Sequence, residues 1–532
     1  LSGIARRSAL GLVGLGAAAG LTGAIAEAAP AARSRAIGRA LPAPRRPGGA
    51  LTANRIAVEN TLPGTHNWAP SSFTMRVDDR HRQVQGYASR SSVDIGGSIS
   101  FHVSVPSAER YTIEILRLGH YGGRGARRVH RTEPLPGFRR PVPVPAAGVG
   151  TIHCTWPVSW TLSVPRTWTS GTYLARFKTV SGWSSYHPFV IRDDARRADF
   201  CVVMPTATWQ AYNQWPRDLR TGRNLYHGFD KLGRLDHTLR ARRVSFDRPY
   251  HENGLPSRFQ GDRHVISFLE RNGYDVTYAS SQDLHDGTLD ASRYRGLLFI
   301  GHDEYWTAEM RARTTAALGA GSHLAYLTAN NVYWHVRLDP SPEGVPGRTL
   351  TCYKNSLDPR AVAGGVSTSL WRDARRTGPQ RPEQELIGVM YNGIVVAPSP
   401  LVVANSEHWF WAGTGLRDGD AIPRVVGGEA DGFWPTGDAG PRRGRDPERR
   451  YPAPRIRPLE GDHTLLSHSR YRAHGARAPR IQSTSLRELP QGQLVFAAAT
   501  LDWPAALSRP GVRDRRIERA THNVLDRMRD PV

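Results

Sequence analysis

The sequence predicts a doubly wound α/β domain preceded by an immunoglobulin-like β-sandwich. Three observations carry this expectation. Short alternating strands separated by Gly and Pro turns fill residues 55–195. From 196 to 532, buried apolar runs alternate with helical stretches. Those runs end in polar or aromatic tips, as strands do at the carboxyl edge of an open parallel sheet.

Taken in chain order, Arg6-Arg7 precede a Gly/Ala-rich apolar run that leads to Ala26-Glu27-Ala28, an A-x-A cleavage pattern. Residues 1–28 are therefore expected to be a twin-arginine signal peptide, and the protein to be exported, either secreted or associated with the cell envelope. Residues 29–54, rich in Ala, Pro, Arg and Gly, are expected to be a disordered linker.

In 55–195, Ile99, Phe101, Val103 and Val105 alternate with Ser100, His102 and Ser104, and Tyr111, Ile113 and Ile115 alternate with Thr112 and Glu114. No cluster of acids or histidines falls on one strand face, so this part is expected to be scaffold. The charged run Arg192 to Arg197 marks a hinge. Phe200 to Val203 begins the second part as a buried strand with its tip at Pro205 to Asn213. An aromatic and polar insertion then runs to Gln260. A helix follows over Gly261 to Asn272 with Gly273 at its C-cap, then a strand over Val276 to Ala279. Asp283 to Leu289 is a short helix or loop.

Leu297 to Ile300 is a strand apolar on both faces that stops at Gly301 and becomes His302-Asp303-Glu304-Tyr305. Thr307 caps the next helix, and Leu324 to Leu327 is the next strand. Residues 348–431 are expected to be irregular, and 431–462, rich in Pro, Gly and Arg, to be a surface excursion. Leu494 to Ala499 is the last core strand, and Ile517 to Met528 the closing helix.

Composition narrows the function. Of the 532 residues 39% are hydrophobic and 22% charged, which describes a globular chain long enough for more than one core. The net charge is +24, but the arginines are scattered and form no stripe interleaved with aromatics, so no nucleic-acid partner is expected. No stretch after the leader is long and apolar enough to span a bilayer, so no membrane association is expected after signal cleavage. The three cysteines form no CxxC pair and no disulfide framework, and Cys201 is expected in the core.

The strand tips narrow the chemistry. The turn after Ile300 holds no Ser or Cys elbow, and no G-x-G-x-x-G or P-loop follows the first strand. What the tips do supply is Tyr212, His302, Asp303, Glu304, Tyr305 and His335. These hard oxygen and nitrogen donors suit iron, manganese or zinc, and so metal-assisted hydrolysis.

Three motifs give a resemblance: Pro205-Thr206-Ala207-Thr208-Trp209-Gln210-Ala211-Tyr212-Asn213, Gly301-His302-Asp303-Glu304-Tyr305-Trp306 and Asn330-Asn331-Val332-Tyr333-Trp334. Together with Phe496 to Trp503 and Thr521 to Leu525, they resemble the C-terminal domain of the N,N-dimethylformamidase beta subunit family. The resemblance implies a class I glutamine amidotransferase-like, flavodoxin-like domain that hydrolyses a carbon–nitrogen (amide) bond at a mononuclear iron held by tyrosines and a glutamate. It puts Tyr305 first and Tyr212 second as metal ligands, with Glu385 or Asp358 as the carboxylate. His302, Glu304 and Asp303 are the catalytic candidates, and Trp209, Asn213, Asn331, Tyr333 and Trp334 the substrate pocket. Zinc, or no metal, remains open, as do a small partner subunit and the oligomeric state. The other reading is a catalytically inactive secreted protein on the same fold, holding a glycan or cell-wall fragment in a crevice of Trp209, Trp215, Tyr250, Trp306 and Trp334.

Overall fold

The computed structural model describes residues 54–69, 75–355, 357–435 and 456–530. The expected signal peptide, nearly all of the expected linker and most of the Arg-rich excursion lie outside them. Asn54 caps a short helix, Arg55–Glu59, by accepting the Ile56 and Ala57 N–H groups. All described residues belong to one unit, Gly49–Val532.

After the helix Arg55–Glu59 and up to residue 192 the chain is built mainly from strands. A seven-stranded sheet includes Arg110–Leu118, Gly171–Thr179 and Trp183–Arg192, and a three-stranded sheet joins Gln85–Ala88, Ser98–Ser104 and Trp160–Ser163. Phe101, Ile113, Phe177 and Phe189 fill a shared core. Most pairings are antiparallel, but Met75–Arg76 and Ser92–Asp94 run parallel to Trp183–Arg192.

The second part is organised on seven strands: β1 (Phe200–Met204), β2 (Val276–Ser280), β3 (Gly296–Phe299), β4 (His323–Tyr326), β5 (Asp462–Leu465), β6 (Ser485–Glu488) and β7 (Leu494–Ala497). Their order is β2-β1-β3-β4-β7-β6-β5. The first five in that order run parallel, with Phe200 opposite both Val276 and Gly296. β6 and β5 are added antiparallel. Among the helices around this sheet and its loops are α1 (Thr206–Ala211), α2 (Phe259–Arg271), α3 (Ser281–Asp286), α4 (Ala308–Gly319), α5 (Trp503–Ser508) and α6 (Arg515–Arg529). Alternation along β3 sends Leu298 into a core with Val265, Phe268 and Val524, and Leu297 and Phe299 into another with Met310 and Ala317. Thr307 caps α4 by accepting the Met310 N–H at 3.1 Å.

The expectation of a doubly wound α/β domain is corrected. Helices make up only 18% of the described structure, and the chain is β-rich, its strands spread over several separate sheets. The physical reason lies in the connections. Between β1 and β2, and again between β4 and β7, the chain returns through long stretches of short strands and loops as well as helices. Two- and three-residue strands such as Gly228–Phe229, Arg243–Ser245 and Thr349–Thr351 are too brief to leave a period in the sequence.

The two parts meet through a buried ion pair. Arg117, on Arg110–Leu118, donates to Glu270 on α2 at 2.9 Å, and neither side chain is exposed. Cys154, Cys201 and Cys352 are free and buried. Among the described residues no helix is long and apolar enough to cross a membrane.

Candidate metal and active site

The site forms where β1 and β3 end. Gly301 has φ +69°, and a Cβ there would collide with the Asp262 carboxylate, so only glycine fits the turn. The following loop is fixed from α1, where Thr208 Oγ1 accepts the Glu304 N–H at 3.0 Å and the Tyr305 N–H at 3.1 Å. Tyr305–Thr307 then pairs in parallel with Trp334–Asp339. Glu304, nearly fully buried, is thereby held with its carboxylate facing the end of α1.

Tyr212 is the C-cap residue of α1, and its hydroxyl donates to Glu304 Oε2 at 2.6 Å. Tyr226 comes from the insertion after α1, and its hydroxyl donates to Glu304 Oε1, also at 2.6 Å. The two hydroxyls lie 3.1 Å apart. Asn224 ties the two segments together: its amide donates to the Tyr212 carbonyl at 3.2 Å, and its side-chain oxygen accepts the Tyr226 N–H at 2.8 Å. Burial, followed by the Glu304 charge, raises both phenols well above their ordinary value.

His302 closes the other side. Its Nε2 lies 3.2 Å from Glu429, 3.5 Å from Glu304 and 3.1 Å from the Asn330 amide. Burial, the largest single influence, lowers its pKa, but the Glu429 and Glu304 carboxylates together raise it above its ordinary value. At Glu429 burial acts upward, and His302, Arg258 and Asn330 together hold that carboxyl below its ordinary value. Lys354 stands behind Tyr226, its Nζ 3.3 Å from that ring's centroid and 4.3 Å from that of Trp334, and it donates to the Tyr305 hydroxyl at 2.9 Å.

Two cavities reach the edge of this cluster, one at Tyr212 and His302 and the other at His302. A chamber of 10 Å³, room for about one water, is lined by Thr208, Trp209, Tyr212, Ser257, Arg258, Asp262 and His302. A cleft of 550 Å³ shares Arg258 and His302 with it. Trp209 forms one chamber wall, its indole donating to Asp262 at 2.8 Å, while burial raises the Asp262 carboxyl to about 7.

The candidate metal donors are therefore two phenols and one carboxylate, three hard oxygens that converge from separate segments. Among the described residues no group of three or more His, Cys, Asp or Glu is placed to hold an ion. The oxygen set fits iron, for which hard ligands are suited.

Tyr212, His302 and Glu304 come together as the sequence suggests, but several other residues expected at the site stand elsewhere. Tyr305, expected as the first ligand, stands against the cluster: its hydroxyl receives Lys354 at 2.9 Å and also interacts with Tyr226, and its ring meets the Tyr212 and Tyr226 rings edge-on, at 88° and 90°. Glu385 lies on the short helix Gln384–Ile387 with Arg457 as its ion-pair partner at 3.9 Å. Asp358 pairs with Arg337 at 2.6 Å and caps another helix. Asp303 is fully buried beside Trp306, and burial raises its carboxyl to about 8, so it is a neutral core group at ordinary pH.

The expected substrate pocket shrinks to Trp209. Asn213 is spent on the Gln210 side chain and the Pro249 carbonyl, at 2.7 and 2.8 Å. Asn331 is buried beside Thr328, and Tyr333 and Trp334 pack on each other and Tyr333 on Tyr391, outside both cavities. His335 lies 2.9 Å from the Ser367 carbonyl. The aromatic crevice of the binding-protein reading does not form, because Trp215 and Trp306 are fully buried and Tyr250 nearly so.

Sequence reasoning misses Tyr226, Asn330, Lys354 and Glu429. Tyr226 sits in an insertion without a period. Lys354 follows the short strand Thr349–Thr351 and carries no repeat that would single it out.

Residues 112–518 match the family described as N,N-dimethylformamidase beta subunit-like, C-terminal. The chain belongs to this family. The N,N-dimethylformamidase beta subunit of an Alcaligenes species is 26% identical over 279 residues, covering 49% of this chain and 36% of that one. The N,N-dimethylformamidase beta subunit of Paracoccus aminophilus is 32% identical over 133 residues, covering 23% and 18%. The match to this dimethylformamidase-like family thus spans little more than a third of the first relative's length and less of the second's. A Paenibacillus cycloisomaltooligosaccharide glucanotransferase structure superposes with a TM-score of 0.15 at 12% identity, over 47% of this chain and 45% of that one, too loosely to support any statement of fold.

Proposed function

We propose that this chain is a metal-dependent hydrolase of a carbon–nitrogen (amide) bond, with Tyr212, Tyr226 and Glu304 as the donors to a single iron. The observation that carries the reading is that Glu304 receives both phenols at 2.6 Å. Bound iron would supply a Lewis acid for the amide carbonyl and for water.

The chain's own residues supply the rest. His302 reaches both cavities, and Glu429 favours its charged form, so it is placed to deliver a proton to the departing nitrogen. Asn330 orients it, donating to Glu429 at 2.8 Å while lying 3.1 Å from the imidazole. Lys354 favours negative charge on Tyr226 by standing over its ring. Trp209 and Thr208 wall the chamber and limit the water in it. Export belongs to this reading on the Arg6-Arg7 pattern alone.

The test is reconstitution of the full chain with iron, followed by assay of N,N-dimethylformamide and larger tertiary amides. One iron per chain and release of amine, both lost in Glu304→Gln, support the reading. A chain that takes up no iron and cleaves none of these amides ends it.

A further inference from the structure

The 550 Å³ cleft that opens onto His302 falls within the range of ligand sites, roughly 300–1,000 Å³. An amide of a few heavy atoms would leave most of it empty. Its lining is cationic: Arg258, Arg263 and Arg509 face it, with Asp502 as the acid. Asp502 interacts with Arg258, Arg509 and Arg424 together, and Glu429, itself engaged by His302, is the second carboxylate near Arg258. Arg263 is engaged elsewhere, 5.0 Å above the Trp68 ring and donating to Gln260 at 3.0 Å. His264 adds no charge at neutral pH, since burial holds it down to about 4. Arg258 is 48% exposed on its side chain and only loosely paired, 3.8 Å from Glu429. That contact puts it one residue from His302. The N-terminal turn of α2 also faces the cleft through Gln260 and Gly261, and its dipole has the same sign.

We propose that the amide taken by this site carries a carboxylate, seated between Arg258 and Arg509 while the scissile bond lies at His302. The proposal rests on the hydrolase reading for the site and adds its substrate class. Surplus positive charge in a concave wall attracts and orients an anion more strongly than it would on a convex surface.

The experiment uses a matched pair of probes, N,N-dimethylsuccinamate and the uncharged N,N-dimethylbutyramide. Each is titrated calorimetrically into the full chain, and their hydrolysis is followed in parallel after iron loading. The expected result is binding of the succinamate about ten-fold tighter or more, the scale of one charge-assisted pair. The advantage should shrink as salt is raised and fall in Arg509→Gln and in Arg258→Gln. Equal binding of the two probes, no binding of either, or an advantage that survives in both variants would overturn the proposal. Preferential binding without hydrolysis keeps the cleft assignment and removes the hydrolase. Hydrolysis of both amides with equal efficiency and equal binding removes the cleft assignment and keeps the hydrolase.

Discussion

The Tyr226 hydroxyl donates to Glu304 Oε1 at 2.6 Å across 78 positions of sequence, while Tyr212 takes the other oxygen of the same carboxylate. One carboxylate thus collects two phenols from different segments, and the third aromatic hydroxyl nearby, that of Tyr305, is directed to Lys354. Tyr226→Phe is therefore expected to weaken iron binding by more than about 10–100-fold, the loss produced by removing only an outer partner of a ligand. Tyr305→Phe should keep its iron. Metal analysis, with the phenolate-to-iron absorption band as a second readout, decides it. Loss of iron in Tyr305→Phe with retention in Tyr226→Phe would reverse the assignment.

His302 and Glu429 form a separate test, because neither is a proposed iron donor. Their contact of 3.2 Å sets the charge and direction of the imidazole. His302→Asn should lower kcat/KM by about 10²–10⁴-fold, the usual contribution of a positioned acid or base. Glu429→Gln should lower it less, with iron content unchanged in both. Iron loss in either variant would assign that residue a structural part in the donor set instead.

How far the sequence discloses this arrangement depends on what periodicity can encode. The buried strands from Phe200, Val276, Leu297 and Leu494 and the helices over 261–272 and 517–528 lie within a few residues of where their patterns put them. Each has many apolar residues repeating at one spacing. The same reasoning fails between the strands, where two-residue ladders and loops carry no repeat, and the overall class is misjudged for that reason. In the site, Glu304 and Tyr212 are legible because they sit at strand or helix ends. Tyr226 and Glu429 are placed by long-range contacts with nothing local to announce them. Tyr305 follows Glu304 directly, yet its hydroxyl receives Lys354 while the carboxylate takes Tyr212 and Tyr226. Neighbouring residues in extended chain point opposite ways.

The Arg117–Glu270 pair bears on stability rather than chemistry. Two parallel bonds of 2.9 Å join the side chains, and Glu270 also accepts from Tyr278 at 2.8 Å and from Asn60 at 2.7 Å. Glu270→Ala leaves a buried guanidinium without its counter-charge and should cost about 3–5 kcal/mol. The double change Arg117→Met with Glu270→Leu should cost clearly less, since no charge is then stranded. Urea denaturation measures both. A loss below about 1 kcal/mol for Glu270→Ala, the range of exposed pairs, would show that water reaches this junction.

Acid sensitivity is expected to have a component at the start of β4. His323 is 3% exposed, and its Nδ1 accepts the Leu494 N–H at 2.9 Å, which pins β7 beside β4. A protonated ring cannot accept that bond. Burial, with Arg295 acting in the same direction, holds the imidazole down from 6.5 to about 4. In the unfolded chain it titrates near its ordinary value, so between pH 6.5 and 4 the unfolded state binds a proton that the folded state refuses. The stability supplied by the neutral ring is complete above pH 6.5 and is lost as pH falls towards 4, on the order of 2–3 kcal/mol in all. His187, His335 and His463 are lowered by burial in the same sense, and Asp79, raised to about 6, acts in the opposite one, so the informative quantity is a difference. His323→Asn keeps an acceptor oxygen without the titration. Its stability relative to the parent should rise between about pH 7.5 and about pH 4.5 in urea denaturation. Parallel declines in the two proteins would mean that His323 is already charged, or already hydrated, in the folded state.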